Sequence, residues 1–117
     1  MSIQSFQDLN VWKKAHSLTL KIYTVTRRYP TFEIYGLVSQ LRRSAVSVCA
    51  NIAEGQKKPT KDFVRFLQIA HGSLEETKYH LILSHDLKYL PTNDYESLYK
   101  IADEVGRMLN GLRVKLN

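Results

Sequence analysis

Apolar residues recur along this chain at helical spacing and nowhere with the alternation of strands. Val11, Ala15, Leu18, Ile22 and Val25 step by four, three, four and three, with Trp12 alongside, and so share one helical stripe. Phe63, Phe66, Leu67, Ala70, Leu74, Thr77 and Leu81 fall on one face at about 100° per residue, and Leu98, Ile101, Val105, Met108 and Leu112 repeat the same steps. Pro30, Pro59 and Pro91 cut the chain into four near-equal segments, each followed by a polar residue able to open a helix. Asn93 and Glu96 have the spacing of a capping box, and Gly55 is placed as a C-terminal helix stop. The pattern predicts an all-α fold, an antiparallel up-down four-helix bundle forming a single domain over 1–117, with helices at about 8–28, 32–54, 60–88 and 93–116.

The second segment differs from the others. Val38, Leu41, Ala45, Val48 and Ile52 form its main stripe, while Val46, Cys49, Ala50 and Ala53 carry apolar character further around the cylinder. A narrow polar strip, Gln40, Arg43, Ser47, Asn51 and Glu54, runs along one face over about 20 Å at 1.5 Å per residue. A helix so widely apolar is covered on more than one side, which predicts a subunit interface along it. Asn51 and Glu54 are expected to satisfy buried polar groups between subunits or between helices, with Arg43 as charge partner.

Composition narrows the class. At 117 residues, 44% hydrophobic and 24% charged, the chain suits one globular domain and excludes a disordered or collagen-like polymer. A single cysteine, Cys49, rules out an internal disulfide. The opening Met1–Ser5 lacks the basic flank and apolar run of a leader, and the longest uncharged apolar stretch, Ser44–Ala53, is about half a membrane span, so a cytoplasmic location without membrane contact is expected.

The net charge is +6, with nine Lys or Arg against three acids in residues 1–58 and eight against eight in the remainder. Eight of the seventeen cations lie in three groups: Arg27 and Arg28, Arg42 and Arg43, and Lys57, Lys58, Lys61 and Arg65. Such asymmetry favours an anionic partner reached by phosphate contacts, and Arg27, Arg28, Arg42, Lys57, Lys58, Lys61 and Arg65 are the candidate nucleic-acid-binding residues. Equally, arginines at a helix end complement its dipole, and Arg43 can pair with an acid at an interface. An antiparallel bundle puts the Lys57 to Arg65 group and the Arg27–Arg28 pair at opposite ends. The seven tyrosines are scattered rather than grouped with the cations, and most are expected to edge the core. Tyr35 and Tyr29, nearest the arginines, are the candidates for stacking on bases.

Catalytic patterns are missing. Glu76 with His80 and His71 with Glu75 have two-ligand spacing, but a di-metal bundle needs more carboxylates than the first two segments supply, so no metal and no cofactor are expected. Cys49 lies on an apolar face without a basic neighbour, and Ser84, His85 and Asp86 point about 100° apart on a helix and form no relay. The glycines make no phosphate loop. No catalytic residue is assigned.

Tyr35-Gly36-Leu37, Gln40-Leu41-Arg42-Arg43-Ser44-Ala45-Val46-Ser47 and Asn51-Ile52-Ala53-Glu54-Gly55 together resemble the signature of the bacterial four-helix bundle proteins related to the 23S rRNA intervening-sequence protein. Phe6–Ala15 resembles that family's opening, Phe63–Glu76 its third helix and Met108–Leu112 its close, so the likeness spans nearly the whole chain. The resemblance implies a four-helix bundle assembled as a homopentamer. It also implies a fold similar to the accessory protein of diversity-generating retroelements, where a basic pentamer associates with nucleic acid and a reverse transcriptase. Two departures stand out: Thr77 occupies a usually aliphatic core position and is expected to loosen the core locally, and Gln56-Lys57-Lys58-Pro59 adds charge to a turn. Taken together, a non-enzymatic homo-oligomer binding structured RNA or DNA is expected. The alternative is a protein-interaction scaffold whose charge serves solubility.

Overall fold

The structure, a computed structural model, describes residues 5–117. Met1–Gln4, part of the stretch judged by its lack of a leader pattern, lies outside the described residues. Four helices carry the fold: α1 (Asn10–Thr26), α2 (Leu37–Gln56), α3 (Thr60–Asp86) and α4 (Thr92–Leu116). Each packs on its sequence neighbours, and α1 closes the circle against α4, giving the up-down bundle, 43 × 24 × 21 Å in extent. No strand and no helix long and apolar enough to cross a membrane occurs among the described residues.

The stripes read from spacing meet in the middle. Ala15, Leu18 and Ile22 of α1, Leu41, Val48 and Ile52 of α2, Leu67, Leu74 and Leu81 of α3, and Ala102, Val105 and Leu109 of α4 are buried there. On α4 the buried line runs between the expected stripe and its neighbours, so Ile101, Met108 and Leu112 are only partly covered. The wider apolar arc of α2 is not covered by its own chain: Val46 is 43% exposed and Ala50 faces solvent.

Local chemistry sets the helix ends. Pro59 and Pro91 open α3 and α4 directly, with no side-chain cap. Because α4 begins at Thr92, Asn93 is already inside its first turn and the Asn93–Glu96 capping box does not form. A capping box forms instead before α1, where Gln7 N–H donates to Ser5 Oγ (3.1 Å) and Ser5 N–H to Asp8 Oδ2 (3.2 Å). The adjoining Trp12, the only tryptophan, packs edge-on against Phe6 and stacks on His16 at 4.8 Å.

Pro30 does not start α2. A short 3₁₀ turn, Thr31–Glu33, intervenes, and α2 begins at Leu37, whose N–H donates to Glu33 Oε1 at 3.2 Å. The delay leaves Phe32, Ile34 and Tyr35 on a loop, 79%, 50% and 93% exposed. At the end of α3, Lys88 takes a left-handed φ of 66° and closes the helix two residues earlier than expected.

Gly55 is not a stop. It is buried within the last turn of α2, and a Cβ there would lie 2.5 Å from Phe66 Cβ and 3.0 Å from Phe63 Cδ1. The absent side chain lets α2 and α3 approach across their short connection. Glycine to alanine in a helix interior ordinarily stabilises by about 1 kcal/mol. Here Gly55→Ala is expected to destabilise by about 1–3 kcal/mol through overpacking, read as a lower urea midpoint; a raised midpoint would show that the phenylalanines give way.

Candidate nucleic-acid interface

Antiparallel packing brings three distant stretches to one end of the bundle. The start of α1 supplies Lys13 and Lys14, the α2–α3 connection and the first turns of α3 Lys57, Lys58, Lys61 and Arg65, and the end of α4 Arg107, Arg113 and Lys115. These nine of seventeen cations face only four of the eleven acids, Asp8, Glu54, Asp62 and Glu104. The remainder of the chain holds eight cations against seven acids. Five of the six surplus charges therefore belong to one pole. Sequence clustering reached only the connection residues. Lys13, Arg107, Arg113 and Lys115 lie outside the cation clusters of the sequence, and only the up-down topology joins them to the group.

The cations at this pole are differently engaged. Lys14 Nζ donates to Glu104 Oε2 at 2.7 Å, and that hydrogen bond holds the Glu104 carboxyl below the usual range. Arg113 donates to Asn110 Oδ1 at 2.8 Å. Lys57, Lys58, Lys61 and Arg65 make no ion pair among the described residues. Lys58 and Arg65 sit near the Phe66 ring, at 5.9 and 5.8 Å from its centroid, with their charge in solvent.

The other sequence candidates are occupied or distant. Arg28 pairs with Asp94 of the first turn of α4 at 3.2 Å. Arg42 donates from Nε to Thr26 Oγ1 (2.9 Å) and from Nη2 to the Tyr23 carbonyl (3.4 Å), with its guanidinium 4.5 Å from the Tyr23 ring. Arg27 is exposed at the end of α1. Both groups lie at the end opposite Lys57 to Arg65. Tyr29 is buried, which removes it as a stacking platform, whereas Tyr35 is 93% exposed.

The polar strip of α2 faces α3. Arg43 pairs with Glu76 (2.5 Å) and donates to Gln40 (3.0 Å), Ser47 Oγ meets Ser73 Oγ at 2.8 Å, and Asn51 Nδ2 donates to the Ser47 carbonyl at 2.8 Å. Of the strip, Glu54 alone is both exposed and without a partner among the described residues. The expected Arg43–Glu54 relation is thus replaced within the chain by Arg43–Glu76, a partner 33 residues away. His80 Nε2 approaches the same Glu76 carboxylate at 3.1 Å, completing a surface network rather than a ligand set. No group of three or more His, Cys, Asp or Glu gathers among the described residues.

Deeper in this seam, Thr77 Oγ1 lies 2.8 Å from Ser44 Oγ and 2.9 Å from the Ser73 carbonyl, both hydroxyl residues being fully buried. Thr77 therefore satisfies its hydroxyl in a polar seam and does not loosen the core. Cys49 Sγ touches Thr19 Oγ1 at 3.5 Å, and burial raises its thiol above the ordinary range, the reverse of a nucleophile's requirement.

A closed bundle of four amphipathic helices with one cationic pole defines an all-α, four-helix bundle protein. The chain belongs to the 23S rRNA-intervening sequence protein family, whose sequence profile matches residues 7–111. Among solved structures it is similar to a protein of unknown function from the S23 ribosomal protein family of Bacteroides thetaiotaomicron VPI-5482. The two share 27% identity and a TM-score of 0.80 over 88% of this chain and 94% of that one. No curated protein matches the chain.

The seam yields a test by double-mutant cycle. Thr77→Val is expected to cost about 1 kcal/mol in urea unfolding, and Ser44→Ala made in that background less than the same change made alone, since removing both partners leaves no unpaired hydroxyl. Strict additivity would show that the Ser44–Thr77 hydrogen bond contributes nothing.

Proposed function

We propose that this protein is a non-enzymatic homo-oligomer, a pentamer as the family resemblance implies, that binds structured RNA or DNA through phosphate contacts at its cationic pole. What carries the reading is the set Lys57, Lys58, Lys61 and Arg65, four cations on one short connection and the first turns of α3, with no acid paired to them among the described residues. Unpaired, mobile ammonium and guanidinium groups suit a phosphate backbone, because each can release a condensed counterion without first breaking a protein ion pair. The family's association with an rRNA insertion supports the choice of nucleic acid as the polyanion. Assembly multiplies the pole, and the exposed side of α2 with Val46, Ala50 and the strip Gln40, Arg43, Ser47, Asn51 and Glu54 is the proposed contact between subunits.

Reversing Lys57, Lys58, Lys61 and Arg65 together to glutamate is expected to weaken binding of a structured rRNA fragment by at least tenfold near 0.1 M salt. It should also flatten the dependence of log K on log salt by about 0.9 for each phosphate that is no longer neutralised. Arg28→Glu, made as a comparison at the other pole, should change neither quantity much. Unaltered RNA affinity in the fourfold variant, with its helical content retained, would remove this surface from the function.

For assembly, Glu54→Ala is expected to lower the sedimentation coefficient at micromolar concentration by leaving the cation it meets on a neighbouring subunit unpaired. An unchanged coefficient on dilution would place Glu54 in solvent.

A further inference from the structure

At the pole remote from Lys57 to Arg65, two shallow depressions share Ile34, Val38 and Arg42 and so form one groove between the end of α1, the loop before α2 and the first turns of α2. Its walls present Arg27, Arg42 and Arg43 together with Tyr23 and Tyr35, and no acidic residue lines it. The acid closest in sequence is turned away: Glu33 Oε1 accepts from Leu37 N–H and Oε2 from the Tyr89 hydroxyl. Arg43 is neutralised by Glu76, which leaves Arg27 and Arg42 as the cations available to a ligand.

Arg42 is already oriented. Its bonds to Thr26 and the Tyr23 carbonyl fix the guanidinium plane over Tyr23 while Nη1 keeps both protons free. Tyr35, by contrast, is 93% exposed, and neither its ring nor its hydroxyl has a partner among the described residues. A large ring in water beside a fixed guanidinium, with apolar Ile34 and Val38 as floor, offers a π-face and an anion donor within one groove.

We infer that this groove takes unpaired nucleotides of an RNA, with a base on the Tyr35 ring and its phosphate at Arg42 and Arg27. The chemistry differs from that of the cationic pole. Charges here nearly cancel over the surrounding surface, so attraction comes from stacking and directed hydrogen bonds more than from counterion release. Stacking between successive base pairs covers the faces of the bases inside a duplex, so a paired stem offers Tyr35 no base to stack on along its length. The two ends of α2, a 20-residue helix, are about 30 Å apart. One folded RNA can therefore lay a paired stem at Lys57 to Arg65 and an unpaired loop in the groove. This inference rests on the nucleic-acid reading of the preceding section and adds which part of the RNA is held where.

The experiment uses the full-length protein and two fluorescein-labelled RNAs of equal phosphate number, a hairpin with an eight-uridine loop and a blunt, fully paired duplex, near 0.15 M salt. The wild type is expected to prefer the hairpin. Tyr35→Ala should lose about tenfold in hairpin affinity with duplex affinity unchanged, and Tyr35→Phe should keep the preference, because stacking needs the ring and not the hydroxyl. Equal binding of the two RNAs by the wild type, or an equal loss for both in Tyr35→Ala, overturns the groove assignment while leaving phosphate binding intact. A smaller sedimentation coefficient in Tyr35→Ala with RNA preference unaltered assigns the groove to a second copy of the chain and also overturns it. Binding of neither RNA by the wild type removes the phosphate-binding reading, and this one with it.

Discussion

The close approach of α2 and α3 at Gly55 is the constraint on which the rest of the bundle depends. With no Cβ at that position, Phe63 and Phe66 lie directly against the last turn of α2, and the two helices can be joined by only three residues, Lys57–Pro59. Moving up the seam, contact is maintained by small hydroxyl side chains, Ser47 with Ser73 and Ser44 with Thr77, and then by the longer Arg43–Glu76 pair where the helices are more open to solvent. The lysines of the connection thereby stand on a three-residue corner between two packed helix ends.

Much of the fold was legible because helical periodicity is a local property. The stripe from Val11 to Val25 and the line from Phe63 to Leu81 lie in the core as their spacing requires, except Phe66, which is half-buried beside Gly55. What failed to show in sequence depends on contacts between segments. Gly55 has the composition signal of a helix stop, yet its role is set by two phenylalanines on another helix. Asn93 and Glu96 have capping-box spacing, but the helix starts at the residue after Pro91 and passes the cap position before Asn93 is reached. Pro30 signals a helix start, and the 3₁₀ turn that follows postpones it to Leu37.

The candidate site divides in the same way. Lys57, Lys58, Lys61 and Arg65 were visible as a run, and helix direction alone sets them apart from Arg27 and Arg28. The pairing of Arg28 with Asp94 and of Arg43 with Glu76 could not be read from the chain, because each joins residues far apart in sequence. Tyr35 and Tyr29 were equivalent as letters near arginines. Only packing distinguishes them, since one is buried against Tyr89 and the other stands in water on the loop created by the late start of α2.

Segregation of charge along a body 43 Å long has an electrostatic consequence. Ionic strength near that of a cell screens charge over about 8 Å, so the bundle is several screening lengths from end to end. Its two poles do not sense one another, and an isoelectric point near 9.5 describes neither of them. Seen from outside, the molecule is two bodies on one rod: a strongly cationic tip, and a remainder over which cations and acids nearly balance. On the proposed function, a polyanion meets the field of the charged tip first and turns about it afterwards, which makes orientation a result of screening rather than of shape.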